Sequence, residues 1–230
     1  PGGGEATVIA WIWARTVTCP NPACGIEMPL VRSWWLGKKK GKEAYVVPQV
    51  VGGQVEYQIG HDPKRGPTSA EDGTVGRAGA TCISCGTAVP LEYVRETSRQ
   101  IGLGSQLMAT VAEGTRSRVY LPASDEDRAA AKVARPDDLP IGNLPEKALS
   151  FRVQAYGMTE WVDLFTDRQL AALTTFSDLV AEARERVLSD AREAGLSEEL
   201  RLESGGTGAE AYADAVVTYL SFPISRMTNK

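Results

Sequence analysis

The sequence predicts an α+β protein in which a small antiparallel β-sheet precedes a helical region with two long amphipathic helices. Three observations predict this class. Runs of β-branched and aromatic residues, separated by turn signals, fill residues 1–122. Two similar cysteine-containing turns interrupt those runs. Capping signals and apolar residues at helical spacing follow over residues 123–230, so we predict two domains that meet at residue 122, with a proline-dotted linker at about 136–150.

The elements of the first domain follow from local composition. Residues 6–18 are β-branched and aromatic and lead into the first cysteine turn, and residues 28–36 form the return strand. Gly52 and Gly53 separate two further runs and predict a hairpin. The remaining predicted elements are a strand within residues 74–81, a short helix at 91–100 and a hairpin of 107–113 with 118–122.

The helices of the second domain have recognisable start signals. Ser124 precedes a run of acids and alanines that we expect to be helical to about residue 134. Thr166 with Gln169 forms a capping box before a helix that stops at Gly195. A second capping box, Thr207 with Glu210, opens the last helix. We expect the apolar stripes to form a bundle core; they comprise Leu170, Leu173, Val180, Val187 and Ala191 on one helix and Tyr212, Val216, Tyr219 and Leu220 on the other.

All the cysteines lie in two short turns, residues 19–24 and 82–85, and both turns continue as C-G-x-x-x-P-L. Glycine after the second cysteine permits the positive φ that a tight turn around a metal ligand requires. Two disulfides, a redox pair and free thiols are the alternatives, but the chain opens with no signal-peptide pattern. Four thiolates at short spacing suit tetrahedral zinc. The sequence therefore predicts a split zinc ribbon whose structural zinc ion is bound by Cys19, Cys24, Cys82 and Cys85.

A basic, tryptophan-bearing segment follows the first cysteine turn. Lysines clustered on a glycine turn can follow a phosphate backbone, and an exposed tryptophan can stack on a base. The alternative is that both tryptophans belong to the core and the lysines form a solvated turn. Residues 1–120 carry 13 basic and 10 acidic residues, whereas residues 121–230 carry 12 and 19. The candidate nucleic-acid residues are Arg32, Trp34, Trp35, Lys38, Lys39, Lys40 and Lys42.

Catalytic motifs are missing from the sequence. It has no P-loop, no G-x-G-x-x-G after a strand, no G-x-S-x-G and no H-E-x-x-H. The single histidine, His61, is expected to be a solvated loop residue outside the metal site. No apolar run reaches the length of a membrane span. We therefore expect a soluble, cytoplasmic protein without catalysis of its own. We also expect it to be a segment of a longer protein, because the chain starts at Pro1 rather than methionine.

Several longer sequence words resemble the large anti-phage-associated adenine-specific DNA methylases. They are residues 13–25 (WARTVTCPNPACG), 29–36 (PLVRSWWL) with the lysine-rich residues 37–42 (GKKKGK), 80–86 (ATCISCG), 153–157 (VQAYG), 161–170 (WVDLFTDRQL) and 173–177 (LTTFS). The resemblance implies an insertion within an enzyme that transfers a methyl group from S-adenosylmethionine to adenine in DNA. The glycine-rich cofactor motif and the Asp-Pro-Pro-Tyr motif of that family do not occur here, so S-adenosylmethionine would bind the parent protein only.

Two functions are therefore expected. In the first, the chain is a non-catalytic zinc-binding insertion that aids DNA recognition by the rest of the methylase chain. In the alternative, it is a structural or protein-interaction module that docks subunits of a phage-defence complex without contacting DNA. Binding of S-adenosylmethionine by this segment would instead indicate a methyltransferase in its own right.

Overall fold

The α+β class predicted from the sequence is confirmed by the computed structural model, which describes residues 6–115, 117–147 and 152–228. These residues form two compact units. The β unit comprises residues 6–131 and 144–159, and the helical unit comprises residues 132–143 and 160–228. The chain thus leaves the β unit, returns to it and leaves it again. The boundary predicted at residue 122 lies nine residues before the first of these crossings, and the predicted linker is shared between the two units.

Nine strands and two helices make up most of the β unit. The strands are β1 (Val8–Thr18), β2 (Glu27–Leu30), β3 (Trp35–Gly37), β4 (Ala44–Val51), β5 (Gln54–Gly60), β6 (Gly79–Thr81), β7 (Ala88–Pro90), β8 (Gly104–Ala112) and β9 (Val119–Pro122), and the helices are α1 (Leu91–Ile101) and α2 (Asp125–Ala130). They form three antiparallel sheets with the orders β2-β1-β8-β9, β3-β4-β5 and β6-β7. Short 3-10 turns occur at Pro63–Arg65 and Val153–Tyr156.

Both predicted hairpins of the β unit are confirmed. Strands β4 and β5 pair in register around Gly52 and Gly53, whose φ angles are 56° and 79°. Two consecutive positive φ values define the type I′ turn that matches the twist of a hairpin, and glycine accepts them without steric cost. Strands β8 and β9 form the second hairpin, and β8 also pairs along β1.

The single return strand predicted over residues 28–36 is wrong, because the chain passes there from one sheet to another. Strand β2 pairs with β1, whereas β3 pairs with β4. Backbone N–H groups between the two strands donate hydrogen bonds to side chains of a later loop: the Val31 N–H donates to Thr74 Oγ1 at 2.9 Å and the Trp34 N–H donates to Asp72 Oδ1 at 2.7 Å. Nothing local in the sequence reveals these distant acceptors.

Two apolar clusters form the core of the β unit. One lies directly beneath the cysteine turns and contains Met28, Val89 and Val94 together with buried Cys19 and Cys82. The other surrounds Trp34 and includes Ala14, Val31, Val46 and Met108. Cys19 and Cys82 are therefore part of the core, so a ligand bound by them would be coupled to the packing of this unit.

The helical unit contains α3 (Asp167–Glu193) and α4 (Ala209–Met227), with short 3-10 turns at Trp161–Leu164 and Leu202–Ser204. The capping box predicted at the start of α3 is confirmed, since Thr166 and Gln169 hydrogen-bond to each other's backbone N–H. Gly195, with a φ of 85°, follows its end as predicted. In the described part of the chain, no helix is both long enough and apolar enough to cross a membrane.

Two predictions for helical elements are corrected. Helix α2 has the expected cap at Ser124 but ends at Ala130, about one turn early. The capping box predicted for the last helix is absent, because the N-cap of α4 is Gly208. Thr207 instead donates its hydroxyl to Glu199 at 2.9 Å, and the carboxylate of Glu210 is bound by arginine side chains.

The packed face of α4 also differs from the predicted apolar stripe. Its buried residues are Ala209, Ala211, Ala213 and Asp214, whereas the predicted Tyr212, Tyr219 and Leu220 are exposed. Ala209 and Ala213 lie against Leu188 and Ala191 of α3, where small side chains permit two helices to approach closely. Close packing of the two helices therefore buries the small side chains of α4 and leaves its large apolar side chains exposed.

Candidate metal centre

The two cysteine turns occupy equivalent places in the β unit. Each one joins two antiparallel strands: residues 19–26 join β1 to β2, and residues 82–87 join β6 to β7. The first cysteine of each turn directly follows a strand and is buried, and the second lies nearer the surface. The repeat seen in the sequence is therefore also a repeat in structure.

Hydrogen bonds within the turns are equivalent as well. The Gly25 N–H donates to Asn21 O at 3.0 Å and the Gly86 N–H donates to Cys82 O at 2.9 Å, so each turn closes over four residues. Both glycines have positive φ, 57° and 72°. A residue with a Cβ would be strained in this left-handed region, which explains glycine after the second cysteine.

The four sulfur atoms converge on one point. Cys19 Sγ lies 3.7 Å from Cys85 Sγ, Cys24 Sγ lies 3.9 Å from Cys82 Sγ, and all four atoms are within 4.8 Å of one another. The short distances join one turn to the other, and all four cysteines are free. Four thiolates around a tetrahedral zinc ion at about 2.3 Å would be about 3.8 Å apart, so these separations suit a metal ion at their centre.

The environments of the four thiols differ. Burial raises the pKa of the Cys19 thiol to about 12. Hydrogen bonds from the hydroxyl and the N–H of Thr87 lower the pKa of the exposed Cys85 thiol to about 6, and Thr87 Oγ1 lies 3.1 Å from its sulfur. The cluster thus combines one thiol that ionises readily with one that needs a neighbouring cation in order to ionise.

The donor set defines what the centre can do. Four protein ligands fill a tetrahedral coordination sphere and leave no position for water or substrate, which is the arrangement of structural rather than catalytic metal sites. Within the described residues, the four cysteines are the group of metal-ligating side chains close enough to share an ion. His61 is not among them, in agreement with its predicted place outside the site.

The predicted nucleic-acid residues lie on the same unit but separate into two environments. The charged ones, Arg32 and the lysines at 38, 39, 40 and 42, are exposed. Lys38 forms an ion pair with Asp72 at 3.8 Å. The segment between β3 and β4, residues 38–43, is named here the lysine turn. The Lys42 N–H donates to Lys39 O at 2.8 Å within it.

The two tryptophans do not share that exposure. Trp34 is only 5% exposed and packs in the second core cluster, so it offers no ring to a base, and its place among the candidates is corrected. Trp35 is half-buried: its ring meets Tyr45 edge to face at 5.2 Å, and its Nε1–H donates to Pro67 O at 3.2 Å. Both rings therefore have partners within the protein.

Sequence reasoning missed two residues that the fold brings to the lysine turn. Arg118 and His61 line the same cleft as Lys40 and Lys42. Their distance from the turn along the chain left no local signal for this grouping.

Comparisons of the chain with models of protein families, with curated proteins and with solved structures find no match.

Proposed function

We propose that the four cysteines bind a structural zinc ion and that the β unit held together by this ion recognises DNA. In this proposal the chain is a non-catalytic insertion of an S-adenosylmethionine-dependent adenine-specific DNA methyltransferase, the family that its sequence words resemble. The observation that carries the proposal is the convergence of four sulfur atoms from two equivalent turns. The chain supplies no group to the methyl transfer itself.

Zinc is favoured over other metals by the donor set. Thiolates are soft ligands that select zinc, copper(I) or iron–sulfur clusters, and a closed tetrahedral sulfur site with these spacings is typical of structural zinc. The binding energy of such an ion, on the order of 10 kcal/mol, becomes folding energy because the site does not exist in the unfolded chain. Buried Cys19 and Cys82 would couple that energy to the first core cluster.

A chain of hydrogen bonds connects the metal centre to the lysine turn. The Thr81 N–H, next to Cys82, donates to Thr74 O at 2.8 Å, and the Thr74 N–H donates to Val31 O at 2.7 Å. Asp72, two residues before Thr74, accepts from the Trp34 N–H and pairs with Lys38. Zinc would therefore fix the loop that positions the basic surface, and its effect on DNA would be indirect.

Exposed lysines at the tip of such a loop suit DNA because phosphate contacts supply most non-specific affinity. Lys39 and Lys40 are exposed next to Lys38, and Arg32 is exposed on the segment that leads into β3. We infer contact with the phosphate backbone rather than with bases, because Trp34 is buried and Trp35 is engaged within the protein.

A second candidate function is docking to protein subunits of a phage-defence complex. The observation that favours it is the set of large apolar side chains left exposed on the helical unit; they include Phe176, Leu179, Tyr212, Tyr219 and Phe222. Exposed apolar patches of this kind often mark protein interfaces. In this case the zinc ion would be equally necessary for folding of the β unit, but DNA would not bind.

The test combines metal analysis with DNA binding by the full chain. Elemental analysis should find one zinc ion per chain in the wild type and in Ser84→Ala, an exposed position on the same turn, but not in Cys82→Ser. Wild type should shift a short duplex in a salt-sensitive manner, and chelation or Cys82→Ser should abolish the shift together with the thermal transition of the β unit.

Each outcome of this test is informative. Absence of zinc from freshly purified protein, or unchanged circular dichroism and melting after metal removal, would overturn the structural zinc site. Zinc without any DNA shift at low salt would favour the protein-docking function over DNA recognition.

A further inference from the structure

A cleft of about 790 Å³ lies beside the lysine turn, entirely within the β unit. Its lining comes from three separate segments: the lysine turn, the residues that follow β5, and the start of β9. The lining side chains that carry charge or a polar group are Lys40, Lys42, Glu43, His61, Ser117, Arg118 and Tyr120. Its volume falls in the range of ligand-binding clefts.

Hydrogen bonds connect the three segments around this cleft. The Tyr120 hydroxyl donates to Leu36 O at 3.2 Å and so joins β9 to β3. A Cβ on Gly37 would lie 3.3 Å from Lys42 O, a tight contact, and 3.7 Å from the Tyr120 ring, an ordinary one. His61 Nδ1 lies 3.1 Å from Glu43 O, which joins the third segment to the lysine turn.

The hydrogen bond of His61 fixes the proton on its ring. A carbonyl oxygen can only accept, so Nδ1 carries the proton and Nε2 remains as the second polar atom of the ring. In this tautomer Nε2 is an acceptor, so the donors that this wall offers to an oxyanion are Arg118 and the Ser117 hydroxyl. The cleft thus contains several groups that can bind an oxyanion.

The charge of the lining is positive. Lys40, Lys42 and Arg118 contribute three cations, against the single carboxylate of Glu43. Arg118 comes from a segment far along the chain from the lysine turn, so the cations of the lining are supplied by two separate segments. Arginine presents several N–H donors in a planar fork that matches phosphate oxygens, whereas lysine acts as a point charge.

We propose that this cleft is a phosphate-binding site and that its ligand is the phosphodiester backbone of a polynucleotide. This inference rests on the DNA-binding function proposed above and specifies where the backbone lies. A polynucleotide is favoured over a free nucleotide because the exposed Lys39, on the same turn, adds a cation beyond the cleft, next to Lys38, which pairs with Asp72. A single phosphate would leave this charge unused, whereas successive phosphates would meet the cations in turn.

The decisive variant is Arg118→Gln, and its matched control is Arg77→Gln. Both changes remove one exposed arginine charge from the β unit, but Arg77 does not line the cleft. Loss of one phosphate contact should reduce the slope of log affinity against log salt by about 0.9 for a duplex, equivalent to about eightfold weaker binding at about 0.1 M salt. Arg77→Gln should leave the slope unchanged. Circular dichroism and melting curves establish that both variants fold.

The outcomes separate this inference from the function on which it rests. Wild-type protein that binds no duplex overturns the DNA-binding function itself. Wild type that binds, with equal slopes for both variants, overturns only the cleft. Binding of inorganic phosphate that Arg118→Gln abolishes, with no change in the DNA slope of that variant, would show that free phosphate occupies the cleft instead of a polynucleotide and would also overturn the proposal. A selective slope change in Arg118→Gln supports it.

Discussion

The substitution Asp214→Asn should destabilise the helical unit substantially. Asp214 lies on the buried face of α4 and is 8% exposed. Its carboxylate accepts from Arg184 Nε at 2.9 Å, from Nε and Nη2 of Arg201 at 3.1 Å each, and from the Leu202 N–H at 3.2 Å. Asparagine keeps the shape but removes the charge, and its NH₂ group would face guanidinium donors.

The magnitude follows from the burial of the partners. Removing one member of a buried ion pair costs about 3–5 kcal/mol, because the remaining charge is left without compensation. The side chain of Arg184 is 20% exposed, but its charge stays partly compensated by Glu210 at 2.6 Å, which places the cost at the low end of this range. The side chain of Arg201 is 58% exposed, so the loss of its solvent-screened contacts costs little. Asparagine also retains one acceptor oxygen. We therefore expect a loss of about 3 kcal/mol, a large share of the 5–15 kcal/mol typical of a folded domain.

Urea unfolding of the full chain measures this loss, and Glu185→Gln is the matched control. Glu185 pairs with the same Arg184 at 3.4 Å, but its side chain is 72% exposed, so its loss should cost less than about 1 kcal/mol. If Asp214→Asn unfolds at the wild-type urea concentration, the ion pairs around Asp214 do not stabilise this unit and the reasoning fails.

The same substitution should alter the dependence of stability on pH. Hydrogen bonds from Arg201, and then from Arg184, hold the pKa of Asp214 well below its usual range despite the opposing effect of burial. A carboxyl group whose pKa is lowered on folding contributes its full stability above the pKa of the unfolded chain, about 3.9, and loses it as pH falls through the folded value. Wild type should therefore lose more stability than Asp214→Asn on acidification below about pH 4.

Two further predictions concern the β unit. Gly86→Ala should weaken zinc retention against a chelator and lower the free energy of unfolding by about 1 kcal/mol. The φ angle there is 72° and a Cβ would meet no atom within 4 Å, so backbone strain is the only cause. Gly76→Ala is the control, because a Cβ there also meets open space but φ is not positive. Trp34→Ala should cost about 3–5 kcal/mol in urea unfolding because it empties the second core cluster, and a nearly neutral result would contradict the burial of Trp34.

Local signals predicted those parts of the fold whose causes are also local. The capping box at Thr166 formed because both partners lie within one turn of the chain. The I′ hairpin at Gly52 formed because two successive glycines adopt positive φ values without steric cost. The convergence of the cysteines was predicted for a similar reason, since each turn is a short unit with its own hydrogen bonds and glycine.

Tertiary interactions decided the elements that local signals predicted wrongly. Thr207 and Glu210 satisfy the capping-box pattern, yet Glu210 is bound by Arg184 and Thr207 by Glu199. Ion pairs with a guanidinium are stronger than the single backbone hydrogen bonds that a capping box provides. Likewise, the alanines of α4 pack because of the surface that α3 presents, which periodicity within α4 alone does not encode.

The proposed phosphate-binding cleft shows why such a site is harder to predict than the candidate metal centre that would support it. The cysteines carry their own pattern, whereas the cleft requires Lys40, His61 and Arg118 to be brought together by a crossover between sheets. That crossover is fixed by Thr74 and Asp72, which lie on the loop leading to the second cysteine turn. In the proposed function zinc orders this loop, so its removal should abolish DNA binding even though the cysteines are not proposed to contact DNA. Substitution of Thr74 by valine, which breaks the hydroxyl bonds to Val31 and Pro29, should then reduce DNA affinity while the chain still retains zinc.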